Sequence, residues 1–120
     1  MGVEKTVLKE GNGVDKPSKG DEVTIEYTGN LYDEEQADNH YRGTQFDSSV
    51  GRGDFRTQIG VGAVIRGWDD GVTTMTLGEK SVLTISSDYA YGDRGFPGLI
   101  PAGSTLVFLV ELKGINGKTA

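Results

Sequence analysis

The stretch "VIRGWDDGVTTM", Val64 to Met75, decides the fold. Val64, Ile65, Trp68 and Val72 recur at the three- and four-residue intervals that place side chains on one face of a helix. No other segment carries that periodicity. The helix is short, and Gly67 inside it costs about 1 kcal/mol of propensity relative to alanine, so it needs tertiary support. It also holds the only tryptophan of the chain, Trp68, between Gly67 and the acids Asp69 and Asp70.

Outward from this helix the chain reads as strands. In "DEVTIEYTG" Val23, Ile25 and Tyr27 alternate with Glu22, Thr24 and Glu26, the period of two of a half-buried strand. "KSVLTIS" sets Leu83 and Ile85 opposite Val82 and Thr84. "STLVFLVELKGI" puts Leu106, Phe108, Val110 and Leu112 on one face and Val107 and Leu109 on the other, which predicts a central strand. "EKTVLKE" and "DFRTQIG" are weaker strands, the first charged enough for an edge. The 19 glycines and 3 prolines are dispersed and supply turns. One helix covering the apolar face of about five antiparallel strands is an α+β arrangement. The polar, aperiodic segment "YDEEQADNHYRGTQ", Tyr32 to Gln45, is expected to be a surface loop or an inserted helical turn.

The 120 residues suffice for one core and one domain. No apolar run approaches the ~18 residues that span a bilayer, and "MGVEKTVLKE" shows no secretory signal, so a soluble chain is expected. Cysteine is absent, which excludes disulfides, thiol catalysis and thiolate metal sites and fits the cytoplasm or nucleus. A net charge of −6 opposes nucleic acid and anionic lipid. "MGVEKT" formally matches an acylation pattern, but no basic patch follows and one acyl chain anchors only marginally, so an edge strand is the expected reading. "RGD" at Arg52 to Asp54 is a tripeptide of the kind that recurs by chance.

Nucleophilic hydrolysis needs a base beside its nucleophile, and the only histidine, His40, lies in the polar insertion. Asp33, Glu34, Glu35, Asp38 and His40 lack the glycine and alternating spacing of a calcium loop and read as a solvated acidic face. "GAVIRGW" has phosphate-loop glycine spacing, but Trp68 stands where lysine is required, and "GVGA" lacks the third glycine of a dinucleotide fingerprint. No cofactor or metal is expected. What remains is a set of aromatics close to turns: Tyr27, Phe46, Phe55, Trp68, Tyr91, Phe96 and Phe108. Phe46 is followed at once by Asp47, and Tyr91 sits in the glycine-proline loop "DYAYGDRGFPGLIP". An aromatic-lined pocket with a few polar groups is how small apolar ligands are held.

Through "VTIEYTG", "QFDSSVGR", "VIRGWDDGV", "LGEKSVLTISSDYAYG", "GFPGLIP" and "STLVFLVELKGI", nearly the whole chain resembles the FKBP family, the tacrolimus- and rapamycin-binding peptidyl-prolyl isomerases. The resemblance implies a curved antiparallel sheet wrapped around one short helix, with a pocket between them floored by Trp68. It implies that Gly67 lets backbone and ligand approach closely. It assigns Tyr27, Phe46, Phe55, Val64, Ile65, Trp68, Tyr91 and Phe108 to the pocket, Leu99 and Ile100 to its rim, Phe96 to a ligand-facing loop tip and Asp47 to its polar interior. The Ile65 backbone N–H and the Tyr91 hydroxyl are expected to donate to ligand carbonyls, and Arg52 to orient Asp47 by an ion pair. Asp47, Tyr91, Phe46 and Trp68 are the expected catalytic set.

The implied activity is cis-trans isomerisation of X-Pro bonds in support of protein folding, the alternative being a non-catalytic binding module that regulates partners. Implied partners are proline-containing peptides, tacrolimus and rapamycin, and, through the drug, calcineurin or the TOR kinase, with the protein itself a monomer. The chain departs from the smallest family members by extra residues between Gly29 and Phe46, by a shorter turn between Ser48 and Phe55, and by Ala63 where a longer polar residue is common.

Overall fold

The computed structural model describes residues 2–120; Met1, which opens the acylation-like motif, lies outside them. The strands are β1 (Val3–Lys9), β2 (Glu22–Tyr32), β3 (Arg42–Ser48), β4 (Phe55–Gln58), β5 (Lys80–Ile85), β6 (Leu106–Ile115) and β7 (Lys118–Thr119). They form one antiparallel sheet in the order β1-β5-β6-β2-β3, with β4 also on β2 and β7 on β6. Among the described residues one α-helix, α1 (Arg66–Val72), packs on the sheet's inner face, and no helix is long and apolar enough to cross a membrane.

Inner and outer faces follow the alternation in the sequence. Val23, Ile25 and Tyr27 of β2 and Leu106, Phe108, Val110 and Leu112 of β6 are buried in one cluster with Trp68 and Val72 of α1. The β2 and β6 ladder runs from Val23 opposite Ile115 to Leu31 opposite Leu106, which makes β6 central, as its two apolar faces predict. Each fully buried aliphatic side chain here contributes about 1.5–3 kcal/mol.

Two strands exceed the five expected. β7 is a two-residue return after the Asn116–Gly117 turn. β3 lies partly inside the segment read as a loop, because "RGTQ" has no apolar alternation to betray it; its strand character comes from pairing, Tyr32 with Arg42 and Asn30 with Gln45. The remainder of that segment is the anticipated turn of helix, a 3-10 turn at Glu34–Asn39 capped by Asp33. It sits at the hairpin tip.

The helix is shorter than its periodicity suggests. Ile65 is extended (φ −58°, ψ 149°), so Val64 and Ile65 belong to the preceding loop. At the other end the Thr73 hydroxyl donates to the Asp69 carbonyl at 2.8 Å and the Thr74 hydroxyl to the Gly71 carbonyl at 2.7 Å. Side-chain hydroxyls that compete for helical carbonyls favour termination.

Gly67 has a role in the core as well. A Cβ at Gly67 would stand 2.4 Å from Ile85 Cγ2, and one at Gly71 3.0 Å from Leu83 Cδ1. The two glycines, four apart, thus form one face of α1 laid directly on β5.

Edge strand β1 is fastened by a buried carboxylate. Glu79, 5% exposed, accepts from Lys5 Nζ at 2.8 Å, Ser81 Oγ at 2.7 Å and the Thr76 N–H at 3.1 Å. Burial opposes ionisation of Glu79, yet these donors outweigh it and hold the carboxyl below its usual value of 4.5.

Two outcomes follow from this packing. Gly67→Ala overpacks against Ile85 and lowers stability by about 1–3 kcal/mol; in urea denaturation, the double substitution with Ile85→Ala is expected to lose less than the sum of the singles. Because the folded pKa of Glu79 is depressed, its contribution is present above pH 4.5 and lost as pH falls through the folded value. The stability gap between wild type and Glu79→Gln should therefore close in acid, and a gap independent of pH would contradict the network.

Candidate functional site

Trp68 is the hub of the site. Its indole, 5% exposed, meets Tyr27 edge-on with centroids 4.9 Å apart, Phe108 at 5.2 Å and Phe55 at 5.8 Å. Phe46 stands against Phe108 at 5.6 Å. Edge-to-face contacts match the negative face of one ring to the positive edge of the next. The five rings, drawn from β2, β3, β4, α1 and β6, enclose an open cavity of about 300 Å³. Ala63, Val64 and Ile65 of the loop before α1, with Tyr91 and Asp47, complete its wall.

The sheet makes room for this cavity by splitting one edge. β3 pairs with the C-terminal half of β2 and β4 with its N-terminal half, so the chain between them leaves the sheet beside Tyr27. Ser49, 3% exposed, closes that gap: its Oγ accepts from the Tyr27 N–H at 2.8 Å and its own N–H donates to the Tyr27 carbonyl at 2.9 Å.

The polar side is built on Asp47. Tyr27 donates its hydroxyl to Asp47 Oδ2 at 2.6 Å, while Arg52 Nη2 and the Ser48 N–H each donate to Oδ1 at 2.9 Å. Burial, and then the hydrogen-bonded Asp47 carboxylate, push the Tyr27 phenol up to about 12. The Tyr91 phenol is raised as well, by burial first and by the charge of Asp47 second. Both hydroxyls stay protonated at neutral pH.

Other donors are left unpaired. Trp68 Nε1 is buried with no acceptor, and among the described residues neither the Ile65 N–H nor the Tyr91 hydroxyl donates to the protein. A buried donor without a partner costs about 1–3 kcal/mol. Unpaired donors at an apolar cavity favour a guest that brings carbonyl oxygens.

The structure brings together Tyr27, Phe46, Asp47, Phe55, Val64, Ile65, Trp68, Tyr91 and Phe108, with Arg52 one bond behind on Asp47. The three residues expected at the cavity's rim and loop tip do not line the wall. Phe96 leans on the Tyr91 ring at 5.9 Å and is otherwise exposed, Leu99 is 52% exposed, and Ile100 is in the core. The reason is the tight turn in which the N–H groups of Phe96 and Ile100 each donate to the other's carbonyl, sending Ile100 inward and Leu99 outward. The acidic turn at 34–39 does not reach the cavity. Ser49 was missing from the expected site; "FDSSV" offers only a short polar run, with no sign that Ser49 bonds Tyr27.

An aromatic-walled cavity with convergent hydrogen-bonding groups, set between a sheet and a helix, has the chemistry to hold an apolar, carbonyl-bearing guest. Residues 13–113 match the model of the family described as FKBP-type peptidyl-prolyl cis-trans isomerase. The chain is 63% identical over 111 residues to FK506-binding protein 1B of Emericella nidulans, covering 92% of each chain. It is 60% identical to FK506-binding protein 1A of Aspergillus fumigatus and 57% identical to a peptidyl-prolyl cis-trans isomerase of Schizosaccharomyces pombe, each over 121 aligned positions and the full length of both chains. The chain belongs to the FKBP-type peptidyl-prolyl cis-trans isomerase family. Its enzyme activity is the isomerisation of prolyl peptide bonds.

The two side-chain bonds to Asp47 differ in environment, and substitutions should separate them. Tyr27→Phe removes a part-buried hydrogen bond to a charged group, about 1.5–3 kcal/mol. Arg52→Ala removes a pair whose side chains are 63% and 42% exposed, at about 0–1 kcal/mol. Denaturant titration checks the order. In ultraviolet titration the Tyr27→Phe protein is also expected to lose the phenol that ionises near 12.

Proposed function

We propose that this isomerase rotates X-Pro bonds inside the cavity floored by Trp68, and that tacrolimus and rapamycin compete for the same space. The observation that carries the reading is the wall of five rings beside the unpaired Ile65 N–H and Tyr91 hydroxyl. A prolyl amide turns over a barrier of about 18–20 kcal/mol, because resonance gives its C–N bond double-bond character. The planar amide is the more polar form and water stabilises it, so transfer into an aromatic wall favours the twisted, less resonant state. The chemistry needs neither proton transfer nor a covalent intermediate.

In this reading Trp68 and Phe108 receive the prolyl ring, and Ile65 N–H and Tyr91 hold the flanking carbonyls. Asp47, fixed by Tyr27 and Arg52, offers the acceptor for a donor on the guest. Binding the twisted amide better than the planar one is sufficient, and each 1.4 kcal/mol of difference gives about tenfold in rate. Three relatives named above carry FK506, that is tacrolimus, or prolyl isomerase in their names, which supports both halves of the proposal.

The biological role that fits is assistance to protein folding in the cytoplasm or nucleus. The exposed Phe96 and Leu99 beside the cavity mouth, with the turn from Gly51 to Asp54, form the surface on which a drug-loaded protein would meet calcineurin or the TOR kinase.

The test is exchange NMR of a Leu-Pro peptide with catalytic protein, with and without tacrolimus. Acceleration is expected, abolished by the drug, and reduced at least tenfold in Trp68→Ala. In Asp47→Val, loss of activity with drug binding retained is expected. Drug binding without acceleration in the wild type would leave a binding module and overturn the mechanism.

A further inference from the structure

The cavity has a wall that its own residues do not hold in place. Ala63, Val64 and Ile65 lie in the chain between β4 and α1, where Gly60 and Gly62 both have left-handed φ values, 81° and 79°. That chain is anchored at its start, where Ile59 exchanges backbone hydrogen bonds with the β1–β2 connection, and at its end, where the Ile65 carbonyl accepts from the Trp68 and Asp69 N–H groups. Between these anchors one side chain intervenes. Asp69 Oδ1 accepts from the Gly60 N–H at 2.7 Å and Oδ2 from the Gly62 N–H at 2.9 Å.

Asp69 does not line the cavity. It follows Trp68 directly in α1, so adjacent residues place the floor and, through one carboxylate, the wall. Each contact is a charge-assisted bond to a backbone donor, stronger than a neutral one. The geometry points to Asp69 as a positioning residue: its carboxylate clamps the loop so that Val64 and the Ile65 N–H stand at working distance from the Trp68 floor. The inference rests on the cavity being the site of isomerisation, as proposed above.

The prediction concerns fit to the substrate as well as rate. With the clamp released, the apolar wall of Ala63, Val64 and Ile65 loses definition, and with it the cavity's selection for a larger side chain before proline. Misplacement of a positioning element by about 1 Å is sufficient to cost up to a hundredfold. Asp69→Asn keeps the size of the side chain but has one oxygen and opposes an N–H with another N–H, so one of the two bonds is lost.

The experiment measures kcat/KM for Leu-Pro and Ala-Pro peptides in wild type, Asp69→Asn and Asp69→Glu, with Trp68→Ala as reference for the site. Amide exchange of Gly60 and Gly62 is followed by NMR in the same proteins. Asp69→Asn is expected to lower kcat/KM for Leu-Pro by roughly tenfold or more and to narrow the Leu-Pro to Ala-Pro ratio. Gly60 and Gly62 should exchange faster, and Asp69→Glu, which keeps the carboxylate, should recover part of both effects.

If Trp68→Ala loses activity while Asp69→Asn keeps both kcat/KM values within twofold, the clamp is overturned and the site stands. Activity intact in Trp68→Ala places the chemistry elsewhere, and the reading of the cavity falls with it. Should Asp69→Asn fail to fold, the wild type and Asp69→Glu decide: Gly60 and Gly62 amides unprotected in the wild type overturn the clamp, and amides protected there that exchange faster in Asp69→Glu, in step with a lower kcat/KM, support it.

Discussion

The structure depends on how closely α1 lies on β5. Gly67 and Gly71 remove the side chains that would hold helix and strand apart, and Ile85 and Leu83 fill the space left. Trp68 is a neighbour of that contact along the helix, so the depth of its indole among Tyr27, Phe55 and Phe108 is set by the approach of the backbone. The helix of seven residues is too short to be stable alone, which is why its position is inseparable from the sheet. A tryptophan in a glycine-bracketed segment is thus placed by the glycines.

Floor and wall of the cavity have different supports. Trp68 is held by apolar packing, which is dense and short-ranged. Asp47 and the loop that carries Val64 and Ile65 are held by hydrogen bonds to carboxylates, Asp47 from Tyr27 and Arg52, and the loop through Asp69. The cavity thereby keeps an apolar lining while its directional groups are fixed from behind.

Much of this was legible in the residues. Alternation in β2, β5 and β6 and the helical spacing around Trp68 defined the layers, since burial on one face leaves a period in the sequence. β3 left none, because an edge strand defined by backbone pairing places few demands on side chains, and Phe46 is its single large apolar residue. The rings stood out as aromatics close to turns and the resemblance assigned them and Asp47 to one pocket, while the contact of Gly67 with Ile85 left no sign in the sequence. The tight turn between Phe96 and Ile100 inverts the facing of neighbouring residues and turns Ile100 into the core, and no periodicity records that. Asp69 and Ser49 act through pairs of hydrogen bonds to backbone groups outside their own elements, which leave no pattern at all.

The division of one sheet edge between β3 and β4 has a consequence for how the protein behaves in crowded solution. An uninterrupted row of free backbone donors and acceptors is a template on which a second chain polymerises. Here that row is interrupted beside Tyr27, where the chain leaves the sheet to build the cavity. At the opposite edge β1 carries Glu4, Lys5 and Lys9 and breaks register between Val7 and Lys9. The same departure from regular pairing that opens the cavity thus shortens the ladder available for β-aggregation.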